Sequence, residues 1–153
     1  MATFFTGNGA TGSIAAECKG VQVMNIIVAY DNSSAAKLAL ERAKRHAPAF
    51  GARILIVTSM EGGSGESKAQ VQQAEAKLEK AKAAFDAVGI DCETHLLIRG
   101  LTAAEDIVLF AQEKDAFELI IGIKKRSKVG KLMFGSTAQY VILNAPCPVL
   151  AVK

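Results

Sequence analysis

From Asn25 onward the chain alternates between short apolar runs and stretches with helical periodicity, and that alternation leaves few folds open. "NIIVAY" (25–30) is a continuous apolar run, the pattern of a strand covered on both faces. Residues 31–50 then switch to a helical stripe of Ala36, Leu40, Ala43 and Ala47, with Ser33 or Ser34 as N-cap and Gly51 just past the end. "ARILIVTSM" (52–60) reads as a second buried strand, and "EGGSGES" as a loop. A long amphipathic helix follows through Gly89, with Val71, Ala74, Leu78, Ala81, Phe85 and Val88 on its stripe. "DCETHLLI" is more polar and alternating, as suits a sheet edge. Arg99-Gly100 turns the chain, and Thr102 with Glu105 makes a capping box for a helix through about Lys114. "FELIIGI" is a fourth buried strand, and a basic loop leads to Ser136 and Gln139, spaced as another capping box. Pro146 stops the helix "AQYVILNA", and "CPVLAVK" closes the pattern as a fifth strand on an edge. Strands alternating with helices predict an α/β fold with a parallel sheet and right-handed crossovers.

A chain of 153 residues accommodates one ordinary domain with a proper core. Half the residues are hydrophobic (50%) and only 22% are charged, which excludes disorder as a whole. A net charge of +3 does not by itself imply a nucleic-acid partner. No apolar run approaches the roughly 20 residues that cross a bilayer, so no membrane partner is expected. The N-terminus lacks the basic start and apolar core of a secretory signal. Cys18, Cys92 and Cys147 are not spaced as a disulfide framework or a zinc knuckle, and they read as thiols of a reducing compartment, the cytoplasm. Residues 1–22 differ in kind: they are glycine-rich and without period, and they read as a flexible leader before a domain over 23–153. Gly7, Gly9 and Gly12 show the spacing G-x-G-x-x-G, but no proper strand precedes them and Gly20 cuts the following helix short. The match to a dinucleotide fingerprint is read as accidental.

In an open parallel sheet the ligand sits at the carboxyl ends of the strands. Asp31 stands at that end of the first strand. After the fourth, Gly122 turns the chain, and Lys124, Lys125, Arg126, Lys128 and Lys131 concentrate positive charge. Gly135-Ser136-Thr137 then opens a helix whose free N–H groups and dipole favour an anion. The segment is not a Walker A loop, since Leu132 follows Gly130-Lys131 and Lys125 occupies the position of the first glycine. No aromatic residues interleave the basic loop, which argues against nucleic acid. His46 and His95 lack partners at metal-ligand spacing and read as structural, and Cys147 as packing. Glu105 and Asp106 lie in a first helical turn, where the dipole alone accounts for them. No catalytic constellation emerges, and no metal site.

"NIIVAYDNSSAAKLAL" and "ELIIGIKKRSKVGKLMFGSTAQYVILNAPCPVLAVK" closely resemble the universal stress protein family. The resemblance implies a single open five-stranded parallel sheet, order 3-2-1-4-5, with helices on both faces. It makes the first and fourth strands neighbours, with Asp31 beside the loop from Gly122 to Ser136. Nucleotide-binding members carry G-x2-G-x9-G-[ST]; Gly122 and Gly135-Ser136 match, whereas Lys125 replaces the second glycine. A Cβ there restricts the backbone, yet the lysine could meet phosphate as a point charge. The resemblance further implies Asp31 near the adenosine, Ser59 where a backbone group at the end of the second strand meets the base, and ATP or AMP as ligand with Mg2+ only as its counter-ion. It implies a homodimer through the last strand, Cys147 to Val152, and a regulatory role in the stress response with at most slow ATP hydrolysis. The alternative is a dimeric interaction module of the same fold in which Lys125 marks a lost ATP site.

Overall fold

In each central strand, successive side chains point to opposite faces of the sheet, and both faces are apolar. The computed structural model describes residues 22–62, 66–124, 126–128 and 131–153. Strands β1 (Met24–Ala29), β2 (Ala52–Met60), β3 (Cys92–Ile98), β4 (Ala116–Gly122) and β7 (Val149–Val152) form one sheet in the order β3-β2-β1-β4-β7, all pairs parallel. A separate antiparallel pair, β5 (Arg126–Lys128) and β6 (Lys131–Met133), lies between β4 and β7 in the chain. The sheet therefore has the expected 3-2-1-4-5 order, with β7 as its fifth strand. The hairpin corrects the reading of this segment as a plain basic loop.

Ile26, Val28, Ile54, Ile56 and Ile120 face α1 (Ser34–Phe50) and α2 (Lys68–Asp86) in one core. Ile27, Ala29, Leu55, Val57, Leu119 and Ile121 face α3 (Ala103–Glu113) and α4 (Ser136–Asn144) in a second core. Ile26, Ile27, Val28, Ile54, Ile56, Val57, Leu119 and Ile120 are all 0% exposed. Each such side chain stabilises the fold by roughly 1.5–3 kcal/mol relative to exposure. Two-sided burial is why these strands read as continuous apolar runs.

Helix starts follow from local chemistry. Ser33 Oγ accepts the Ala36 N–H to begin α1, and Gly51 ends it in the left-handed region at φ 60°. Thr102 and Glu105 form the expected capping box, and Ser67 with Gln70 forms one at α2 that the sequence reading overlooked. The Ser136–Gln139 box does not form. Gly135 is the N-cap of α4 and makes no side-chain cap bond, while Ser136 is the first helical residue. On α2, Leu78, Ala81 and Phe85 are buried, but Val88 lies past the helix end and is exposed. No helix among the described residues is long and apolar enough to cross a membrane. Of residues 1–22, which include Gly7, Gly9, Gly12 and Cys18, all but Gln22 lie outside the described residues.

The last residue of β4 has a specific steric role. A Cβ on Gly122 would stand 2.5 Å from the Ala36 nitrogen and press on the Ala35 backbone, so β4 passes directly against the first turn of α1. At Gly135 an added Cβ meets nothing within 4 Å. Gly122→Ala is expected to cost about 1–3 kcal/mol by overpacking, whereas Gly135→Ala costs 1 kcal/mol or less, roughly an N-cap difference. Urea denaturation of both variants checks this.

Candidate functional site

Because β1 and β4 are neighbours and their following segments diverge to opposite faces, a crevice opens at their carboxyl ends. The β1 exit is shaped by Asn32, which adopts φ 62°, a left-handed conformation that asparagine tolerates. Tyr30 donates its hydroxyl to Asn32 Oδ1 at 2.9 Å, and Asp31 Oδ1 accepts the Ser33 N–H at 2.9 Å. Ser33 thus caps α1, and Asp31 braces the turn before it.

The crevice encloses about 350 Å³ and is lined by Asp31, Thr58, Ser59, Gly122, Lys124, Gly135, Ser136 and Thr137, with Ala103 and Ile107 of α3 as an apolar wall. That volume falls at the small end of ordinary ligand pockets. Asp31, Ser59, Gly122, Gly135, Ser136 and Thr137, singled out in the sequence, therefore meet at one cavity. Lys125 lies outside the described residues.

Charge is arranged on both sides of the opening. Lys124 Nζ stands 3.0 Å from Asp31 Oδ2, with both side chains about three-fifths exposed. Partial burial acts to raise the Asp31 pKa, but hydrogen bonds from Ser33 and the Lys124 ammonium outweigh it and hold the carboxyl below its ordinary value. At the far wall, the first N–H groups of α4 have no side-chain acceptor. Such orphan donors lie at the positive end of the helix dipole, where negative charge is favoured, and Ser136, Thr137 and Ala138 line the cavity.

Sequence reasoning missed one residue of consequence. Asp106 is 0% exposed, although its place in the first turn of α3 had been explained by the dipole. Ser59 donates its hydroxyl to Asp106 Oδ2 at 2.9 Å. Arg99 Nε stands 3.2 Å from Oδ1, near enough to pair charge but without a hydrogen bond, and Arg99 Nη1 reaches Glu113 at 2.8 Å. The signal available was position: Asp106 precedes the buried Phe110 by one helical turn, so it falls on the inward face. Both histidines make contacts within the fold. His46 Nδ1 meets Glu118 at 2.8 Å, and the His95 ring packs tilted at 53° against Phe110. Burial pushes the Cys92 thiol up to about 12 and raises that of Cys147, which packs against the second core.

The five-stranded parallel sheet has counterparts among known proteins. Residues 23–153 match the model of the universal stress protein family. The chain belongs to the universal stress protein family. A Thermus aquaticus relative, named universal stress protein in QAH/OAS sulfhydrylase 3′ region, is 36% identical over 134 residues, spanning 84% of this chain and 97% of the relative. A universal stress protein structure from Archaeoglobus fulgidus superposes with a TM-score of 0.77 at 38% identity, covering 85% of this chain and 93% of that one. A universal stress protein from the same organism in complex with dAMP superposes with a TM-score of 0.74 at 35% identity, covering 85% and 98%.

Within this universal stress protein, Arg99 is the group that compensates a buried carboxylate. Arg99→Met leaves Asp106 without its ion pair and is expected to lower stability by about 3 kcal/mol. Lys44→Met, which breaks an exposed pair with Glu41, is expected to cost at most about 1 kcal/mol. Denaturant midpoints of the two variants check the contrast.

Proposed function

We propose that this universal stress protein binds an adenine nucleotide, AMP or ATP, in the β1–β4 crevice and acts as a regulatory protein of the stress response. The observation that carries the reading is the uncapped start of α4 facing the cavity across from Asp31. The sheet order β2-β1-β4 supports a three-part arrangement. Phosphates take the free N–H groups of Ser136, Thr137 and Ala138, the ribose hydroxyls reach Asp31, and the base lies at the β2 end between Ser59 and the apolar wall of Ala103 and Ile107. Ligand entry releases Asp31 from Lys124, at a cost of about 1 kcal/mol or less for so exposed a pair, and frees Lys124 for phosphate. Mg2+ enters only as counter-ion of ATP. The dAMP bound by the 35%-identical Archaeoglobus protein supports the same ligand class.

The unit proposed to carry this activity is residues 23–153, with 1–22 dispensable. A homodimer through β7 belongs to the same reading. The outer edge of β7 has no partner strand among the described residues. Ala151 on β7, and Tyr140, Ile142 and Leu143 on α4, are exposed. A second reading, an interaction module without nucleotide, is favoured by one feature: Lys125 stands where the binding motif has glycine.

Titration calorimetry of AMP and of Mg-ATP into the protein separates the two. Micromolar binding is expected, weakened at least tenfold in Asp31→Ala and in Gly135→Val. Silence in the parent with binding gained in Lys125→Gly assigns the second reading.

A further inference from the structure

The two hydroxyls at the end of β2 are both committed as donors to the protein itself. Thr58 Oγ1 donates to the Tyr30 carbonyl at 2.7 Å, and Ser59 Oγ donates to Asp106 Oδ2 at 2.9 Å. A hydroxyl has one hydrogen and two acceptor sites, so once the hydrogen is spent only lone pairs remain to face the cavity. For Ser59 this polarity is enforced from behind. Asp106 is wholly buried, with Oδ1 turned to the Arg99 guanidinium and Oδ2 left for the serine. The carboxylate of this ion pair can only accept, so Ser59 must donate to it.

We propose that the Arg99–Asp106–Ser59 chain makes the base end of the cavity an acceptor wall that selects a 6-amino purine over a 6-oxo purine, with Asp106 as the positioning residue and Ser59 as the specificity-determining contact. The inference rests on the nucleotide reading above and deepens it. An exocyclic amine beside Ser59 gains a hydrogen bond. A carbonyl in its place sets acceptor against acceptor and leaves both unsatisfied. Sites built around one hydrogen-bonding group reject the analogue that lacks it for this reason.

The chain also predicts the effect of an isosteric change. In Asp106→Asn, the amide oxygen stays with Arg99 and the NH2 group turns to Ser59. Ser59 Oγ then accepts from the amide, and its hydrogen is released to the cavity. The polarity of the wall reverses without loss of volume.

The test is calorimetric titration of AMP and IMP into the full chain, into Ser59→Ala and into Asp106→Asn, with thermal unfolding to establish that each variant is folded. The parent is expected to prefer AMP by roughly tenfold. Ser59→Ala is expected to narrow that ratio to about threefold or less, mainly by weakening AMP, and Asp106→Asn to move the ratio toward IMP. Equal binding of AMP and IMP by the parent, or an unchanged ratio in Ser59→Ala, overturns the inference while the nucleotide reading stands. Equal weakening of both ligands in Asp106→Asn overturns the positioning role. Binding of neither ligand by the parent overturns the nucleotide reading, and this inference with it.

Discussion

Where β4 ends, the Gly122 backbone passes against Ala35 and Ala36 so closely that a side chain has no room. That contact joins the start of α1 to the exit of β4, and the crevice between them depends on it. Asp31 is placed by the turn into α1, while Lys124 and the approach to α4 follow from the other side of the same contact. A glycine matched to a nucleotide motif therefore has a packing reason of its own. Its requirement arises from backbone against backbone, independent of any phosphate.

The crevice is polar for a related reason. The central strands are sealed on both faces by apolar residues, so no polar group can be accommodated along them without a partner. Unpaired donors and acceptors collect at the strand ends instead. The α4 start supplies N–H donors without a cap, and β2 supplies hydroxyl oxygens whose hydrogens are already used. One end of the cavity thus suits an anion and the other a hydrogen-bond donor, with a carboxylate between them.

The alternation of elements was legible because each central strand is apolar throughout and each helix carries a stripe. Ser33, Gly51 and the Thr102–Glu105 box were legible because caps depend on a few adjacent residues. The α4 start was misread for the same local reason: Ser136 and Gln139 have the right spacing, but the N-cap falls one residue earlier, at Gly135, and Ser136 is already helical. The hairpin of β5 and β6 was missed because three-residue strands carry too little pattern to register. Asp106 was missed because its partners are remote in sequence. Ser59 and Arg99 reach it only after β2, β3 and α3 have packed, and the dipole offered a sufficient local account of an acid in that turn.

An adenine nucleotide bound in the β1–β4 crevice would perturb the amides that line it. The most direct measurement is a titration of AMP into 15N-labelled protein, followed by amide NMR shifts. Binding at the crevice predicts saturable shifts concentrated at Asp31, Ser59, Gly122, Gly135, Ser136 and Thr137, leaving the α2 amides and the amino-terminal ends of the strands unmoved. An absence of shifts at these six amides, or shifts confined to the β7 edge and the exposed face of α4, contradicts the account.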